Sequence, residues 1–124
     1  RRAIQQVFIH HFLKRGKQMK KAFVMKVYEQ YYEEYEKRHD ELWPELKTAI
    51  FNHGATSYAI FLLKETGQLF GYLEIENEDL WNALANTDIC RKWWNYMAPL
   101  METNPDNSPI STDLACVFDI KKGD

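Results

Sequence analysis

The chain is 124 residues long and contains only two cysteines, five glycines and four prolines. Each scarcity excludes something. No CxxC pair and no Cys/His spacing of a zinc site occurs, and no Gly-rich phosphate loop, so neither metal nor nucleotide chemistry has a carrier. No apolar run approaches the ~20 residues that a membrane-spanning helix needs. The two cysteines, Cys90 and Cys116, sit among apolar residues. In a chain with an adequate core they are expected to be reduced, buried thiols of a cytoplasmic protein. A disordered chain is excluded as well, because 45% of the residues are apolar. The length fits one domain of ordinary size.

Acidic residues are absent from positions 1–18, which carry Arg1, Arg2, Lys14, Arg15 and Lys17. A secretory signal is not legible there, since Val7-Phe8-Ile9 is interrupted by His10-His11. Lys14-Arg15-Gly16-Lys17-Gln18, just ahead of Met19, is the sequence an A/G-rich ribosome-binding site would yield if translated. Residues 1–18 are therefore expected to be a non-native or mis-started basic tail, and 19–124 the working domain. His10-His11 then carries no metal. From Met19 onward 11 basic residues face 18 acidic ones, a net of −7. The whole-chain charge of −2 averages a basic tail with an acidic domain, and neither value favours nucleic acid or an anionic membrane as partner.

What is abundant is aromatic: four Trp, seven Tyr and seven Phe. The order of elements predicts β-α-β-β-α-β. Ala22–Tyr28 reads as a strand whose two alternating phases are both apolar, Phe23, Met25 and Val27 against Ala22 and Val24. A strand of that kind is covered on both faces. Two helices cover one face, so a second subunit is expected on the other. Tyr31–His53 reads as one long helix with a stripe through Tyr35, His39, Leu42, Leu46 and Ile50, kinked at Pro44 and stopped by Gly54. Ala55–Leu63 and Gln68–Ile75 form a hairpin around residues 64–67. Asn77 caps a helix through Trp81 and Leu84, and a second helical segment runs from about Ile89 to Leu100. NPDNSP has turn chemistry, and Leu114–Ile120 alternates as the last strand. This is an α+β, ferredoxin-like βαββαβ pattern with an antiparallel sheet.

The residues capable of chemistry are few. Tyr35 and His39 stand at i, i+4 on one helix face, and an imidazole titrates near neutrality. His39 fits either proton transfer or a satisfied core histidine. Trp93 and Trp94 point ~100° apart on a helix, so one can pack while the other borders a groove. An indole suits the C–H face of a sugar, an aromatic core or a subunit contact. Tyr58 lies mid-strand, and whether its phenol meets a ligand or an internal partner stays open. The residues by themselves point to a small binding or acid–base domain with an aromatic pocket.

AFVMKV, YEKRHDELWPEL, HGATSYAIFL, CRKWWNYM and NPDNSP, in that order, resemble the L-rhamnose mutarotase family over about residues 20–120. Where that family commonly has proline, this chain has Glu41. The resemblance implies a homodimeric α/β barrel of ferredoxin-like subunits that interconverts the α and β anomers of L-rhamnose without cofactor or metal. It implies His39 as the proton donor, Tyr35 and Tyr58 as sugar-binding tyrosines, and Trp93 and Trp94 as the tryptophan pair. Tyr58 or a water is the expected second acid–base group. Two other classes share the pattern: a non-catalytic sugar-binding module, and a ferredoxin-like dimeric monooxygenase or haem-handling protein.

Overall fold

The computed structural model describes residues 18–123. The reading of the N-terminal tail, His10-His11 included, lies outside the described residues apart from Gln18. The elements are β1 (Met19–Lys26), α1 (Tyr32–Asp40), α2 (Pro44–Asn52), β2 (Ala55–Leu63), β3 (Gln68–Ile75), α3 (Glu78–Ala83), α4 (Asp88–Met97) and β4 (Thr112–Leu114). The strands form one antiparallel sheet in the order β2-β3-β1-β4. That is the ferredoxin-like arrangement: β1 lies between β3 and β4, and the hairpin β2-β3 supplies the other edge.

Register sorts the side chains. Phe23 pairs with Gly71, which pairs on its other side with Ile60, and Met25 pairs with Leu69, which pairs with Leu62. Residues directly opposite point to the same side of a sheet. Phe23, Met25, Ile60, Leu62 and Leu69 therefore share one face with Val27. On that face Met25, Val27 and Leu69 join Tyr35, Leu46, Trp93 and Met97 in the main core. At 25–30 cal/mol per Å², each fully buried aliphatic side chain here contributes about 1.5–3 kcal/mol. The opposite face carries Val24 paired with Phe70, which pairs on its other side with Phe61. Among the described residues no helix is packed over it, and Phe61 is 64% exposed. Both phases of β1 are apolar, as the sequence says, but the helices of the described residues cover only one of them.

Two elements differ from expectation. The long helix is two helices, α1 and α2, with residues 41–43 between them. Pro44 does not kink a continuous helix; it starts a new one. Proline has no N–H to lose at a first helical position, and it drives the preceding residue to extended geometry. Trp43 shows this with φ −60° and ψ 129°. Glu41 N–H still bonds Lys37 O (3.0 Å) before the chain turns. The last strand also lies ahead of the expected Leu114–Ile120 and shares only Leu114 with it. Only residues 112–114 pair with β1, through Val24↔Thr112, Phe23↔Asp113 and Ala22↔Leu114. Beyond them Val117 and Phe118 are 93% and 76% exposed. An alternating apolar pattern makes a strand only when there is a layer to receive it, and the described residues supply none there. Cys116 is exposed in consequence, against the expectation of two buried thiols, whereas Cys90 is buried.

The remaining local signals act as read. Asn77 Oδ1 accepts from Leu80 N–H (2.8 Å) and Thr87 Oγ1 from Cys90 N–H (3.3 Å), capping α3 and α4. Gly54 closes α2 in the left-handed region, φ 94°. No helix among the described residues is long and apolar enough to cross a membrane.

Candidate active site

A groove of about 1280 Å³ opens between the helices and the sheet. It is larger than the ~300–1,000 Å³ usual for a small-ligand pocket. Residues 56–62 all line it, from both faces of β2, so it extends around that edge strand. Tyr35, His39, Tyr58, Trp93 and Trp94 all line it too. The structure thus brings together the five residues singled out in the sequence, from α1, β2 and α4.

On α1 the one-turn spacing makes Tyr35 and His39 neighbours, with ring centroids 4.4 Å apart. His39 Nδ1 lies 2.9 Å from Tyr35 O. A carbonyl only accepts, so Nδ1 carries the proton and Nε2 of the neutral ring keeps its lone pair. Burial holds the imidazole pKa below its ordinary 6.5, against the weaker upward pull of that hydrogen bond and of Asp40. At neutral pH His39 is a neutral ring with a free proton acceptor.

One contact fixes that ring from α4. Trp93 meets His39 edge to face, centroids 5.3 Å apart at 89°. Trp93 is itself backed by Trp43 at 5.1 Å and by Tyr96 at 5.7 Å. Arg38, next to His39, donates to Tyr96 O (2.6 Å), lies 4.0 Å over the Tyr96 ring, and pairs with Glu34 (2.7 Å). Arg38 ties α1 to α4 beside the groove, and the Trp43 that α2 begins on completes the aromatic stack.

The tryptophans divide as adjacent helical residues must. Trp93 is 8% exposed and belongs to the core. Trp94 is half-buried, with the Arg91 guanidinium 5.1 Å from its ring centroid. Tyr35 is buried, and Tyr58 is 38% exposed on the edge strand. Burial raises both phenols, Tyr58 to about 12 and Tyr35 further, so both stay protonated. Tyr35 belongs to the core, yet no fully enclosed side-chain polar atom lacks a partner among the described residues. Its hydroxyl is thus not sealed in the core, and Tyr35 and Tyr58 both line the groove with a proton to donate.

Several contributors escape sequence reasoning. Phe23 and Trp81 flank the Tyr58 ring edge-on at 6.2 and 6.0 Å. Phe23 reaches that place because its cross-strand partner is Gly71: a Cβ there would come within 2.2 Å of the Phe23 ring. A glycine inside a strand pattern is the available signal of such a close approach. Met101 and Pro109 extend the groove wall. Cys90 lies near Tyr58, and burial pushes its thiol up to about 11, so it stays a protonated packing group. Among the described residues no group of three or more His, Cys, Asp or Glu is placed to hold a metal ion.

Comparison with known proteins gives a consistent answer. The family model for L-rhamnose mutarotase matches residues 20–120. An L-rhamnose mutarotase of Lactiplantibacillus plantarum is 61% identical over 95 residues, covering 77% of this chain and 91% of that protein. One from Shouchella clausii is 58% identical over 100 residues, covering 81% and 96%. The crystal structure of the Formosa agariphila L-rhamnose mutarotase superposes with a TM-score of 0.77 at 42% identity, over 83% of this chain and 99% of that one. An antibiotic biosynthesis monooxygenase superposes with a TM-score of 0.56 at 10% identity, over 81% of this chain and 100% of that one, which shows a shared fold alone.

Proposed function

The chain belongs to the L-rhamnose mutarotase family, and we infer that it is an isomerase interconverting the α and β anomers of L-rhamnose, with His39 as the group that moves the proton. The observation that carries this role is the Nδ1 contact to Tyr35 O. It leaves Nε2 as a proton acceptor in a groove that the protonated phenols of Tyr35 and Tyr58 also line.

Mutarotation opens the C1–O5 bond, lets the aldehyde turn about C1–C2, and closes the ring on its other face. Nε2 takes the proton from the anomeric O1–H. The O1 electrons form the carbonyl as C1–O5 breaks, and O5 receives the proton now on Nε2. After rotation the same steps run in reverse: Nε2 recovers the proton from O5 and returns it to O1. Both oxygens are bonded to C1, so one nitrogen serves both, and His39 is the proton donor to the ring oxygen because it was first the acceptor. The transient imidazolium is supported through Nδ1–H by Tyr35 O. Tyr35 and Tyr58 donate hydrogen bonds to sugar oxygens, Trp94 presents an apolar face to its C–H groups, and Trp93, packed in the core, meets the groove as the backing of His39. The direct test is exchange between the anomeric proton signals of L-rhamnose by saturation-transfer NMR. Acceleration by the wild-type chain is expected, and a rate equal to buffer alone refutes the activity.

The assembly we propose is a homodimer formed through the open sheet face. Val24, Phe61 and Phe70 form an apolar row there, and the chain past β4 presents Val117 and Phe118. Exposed apolar surface of this continuity marks an interface. The cytoplasmic assignment rests on the sequence reading and remains part of the same proposal.

A further inference from the structure

We propose that Arg91 and Asp106 are positioning residues, a latch that holds the loop of residues 102–111 on α4 and fixes the pose of Trp94 at the groove wall. Two ties join the loop to the helix. Arg91 Nη1 reaches Asp106 Oδ2 at 3.1 Å, and Asn107 Nδ2 donates to Asn95 Oδ1 at 2.9 Å. Positions 91 and 95 lie one turn apart on one helix face, so the loop runs along α4. The Arg91 guanidinium also stands 5.1 Å from the Trp94 ring centroid. One cation thus binds the loop and steadies the indole.

The loop is built to present that carboxylate. Asp106 Oδ1 accepts from Ser108 N–H (3.0 Å) and from the Ser108 hydroxyl, which leaves Oδ2 for Arg91. Asn107 adopts φ 70°, a left-handed conformation that asparagine tolerates, and from it the side chain reaches Asn95. The next residue but one, Pro109, lines the groove with Trp94. The loop's own closure does not depend on the latch, because Asn104 N–H bonds Ser108 O (2.8 Å) and Ile110 N–H bonds Glu102 O (3.1 Å). Breaking the latch therefore frees a preformed loop from the helix rather than unfolding it.

The catalytic part of the test rests on the L-rhamnose reading above. Arg91→Ala and Asp106→Asn are each expected to raise KM for L-rhamnose about three- to tenfold with kcat within about twofold, since binding geometry is lost and the proton carrier is not. The double variant is expected to match the worse single, because both changes undo one device. Arg91→Lys, which keeps the charge but not the planar stack, is expected to fall between. Independently of any sugar, the Trp94 indole N–H resonance is expected to shift or broaden in Arg91→Ala. A wild type that leaves L-rhamnose exchange at background overturns the functional reading, while the Trp94 resonance still decides the latch. A Trp94 resonance unchanged in Arg91→Ala overturns the latch, as does an unchanged KM, or a lowered kcat at constant KM, in both single variants of an active enzyme.

Discussion

Replacing His39 by Gln tests the centre of the mechanism. Glutamine keeps a polar, planar end of similar reach but cannot accept and return a proton at neutral pH. General acid–base catalysis contributes ~10²–10⁴-fold, and each decade is about 1.4 kcal/mol of barrier, so the variant should lose about 3–5 kcal/mol of transition-state stabilisation. Sugars mutarotate in water, so its exchange should fall to the uncatalysed rate. Saturation transfer between the anomeric signals reads both limits in one sample, and circular dichroism shows that the fold survives. The pH profile sharpens the test. Burial depresses the His39 pKa, and the proposed mechanism starts from the neutral ring. Activity should be level near neutrality and fall about tenfold per pH unit on the acid side, with a midpoint below ~6.5. Tyr58 titrates only at about 12, so it adds no alkaline limb below that range. Stability follows the same sign: the unfolded imidazole accepts a proton at ~6.5 and the folded one resists it, so the His39 contribution is full above that pH and is lost as pH falls. Wild-type exchange in His39→Gln, or activity that rises as pH is lowered below 6, would refute the reasoning; the second result would mean the imidazolium is the starting form.

The tryptophan pair should separate by phenotype. Trp93→Ala removes a buried ring and should cost about 3–5 kcal/mol in chemical denaturation, while Trp94→Ala should leave stability within about 1 kcal/mol and raise KM; equal destabilisation by both contradicts their division into core and wall. Gly71→Ala places a methyl within 2.2 Å of the Phe23 ring, so overpacking of about 1–3 kcal/mol should lower the thermal midpoint, and an unchanged midpoint would show that Phe23 is not confined there. Phe61→Asp puts a charge in the open sheet face and should convert a dimer to monomers in sedimentation or light scattering; wild-type and variant of equal mass would place the interface elsewhere.

The sequence makes the fold legible wherever a pattern answers to something inside one chain. The stripe through Tyr35, Leu46 and Ile50 meets the sheet, Asn77 caps its helix, and the hairpin closes where its turn lies. Legibility fails where the pattern answers to something else. Leu114–Ile120 alternates like a strand, yet of that stretch only Leu114 is paired, at the end of Thr112–Leu114, because alternation records a facing layer without saying which chain supplies it. Pro44 reads as a kink in a continuous stripe, since periodicity is blind to a break that restarts in phase. That break places Trp43 against Trp93 and Tyr96, which no count of threes and fours predicts.

The site divides along a related line. His39 and Tyr35 are visible because one helix turn joins them, and the Trp pair because adjacency forces its members apart. Their protonation pattern is not visible: it depends on the Tyr35 carbonyl turning toward Nδ1 and on the burial of the ring, which are facts of packing. The Arg91–Asp106 tie spans 15 residues with no periodicity linking the partners, so it emerges only when the loop is seen lying along α4. The composition contains the same division. Aromatic residues make up 15% of the chain, enough to announce a pocket, but their division into proton-handling shell, packed backing and groove wall is set by which ring each one touches. A neutral sugar offers no charge to be steered by, so selectivity must come from that arrangement. For that reason the surface contacts that hold the rings, Arg38 on Tyr96 and Arg91 on Trp94, bear on function although neither cation is needed for the chemistry.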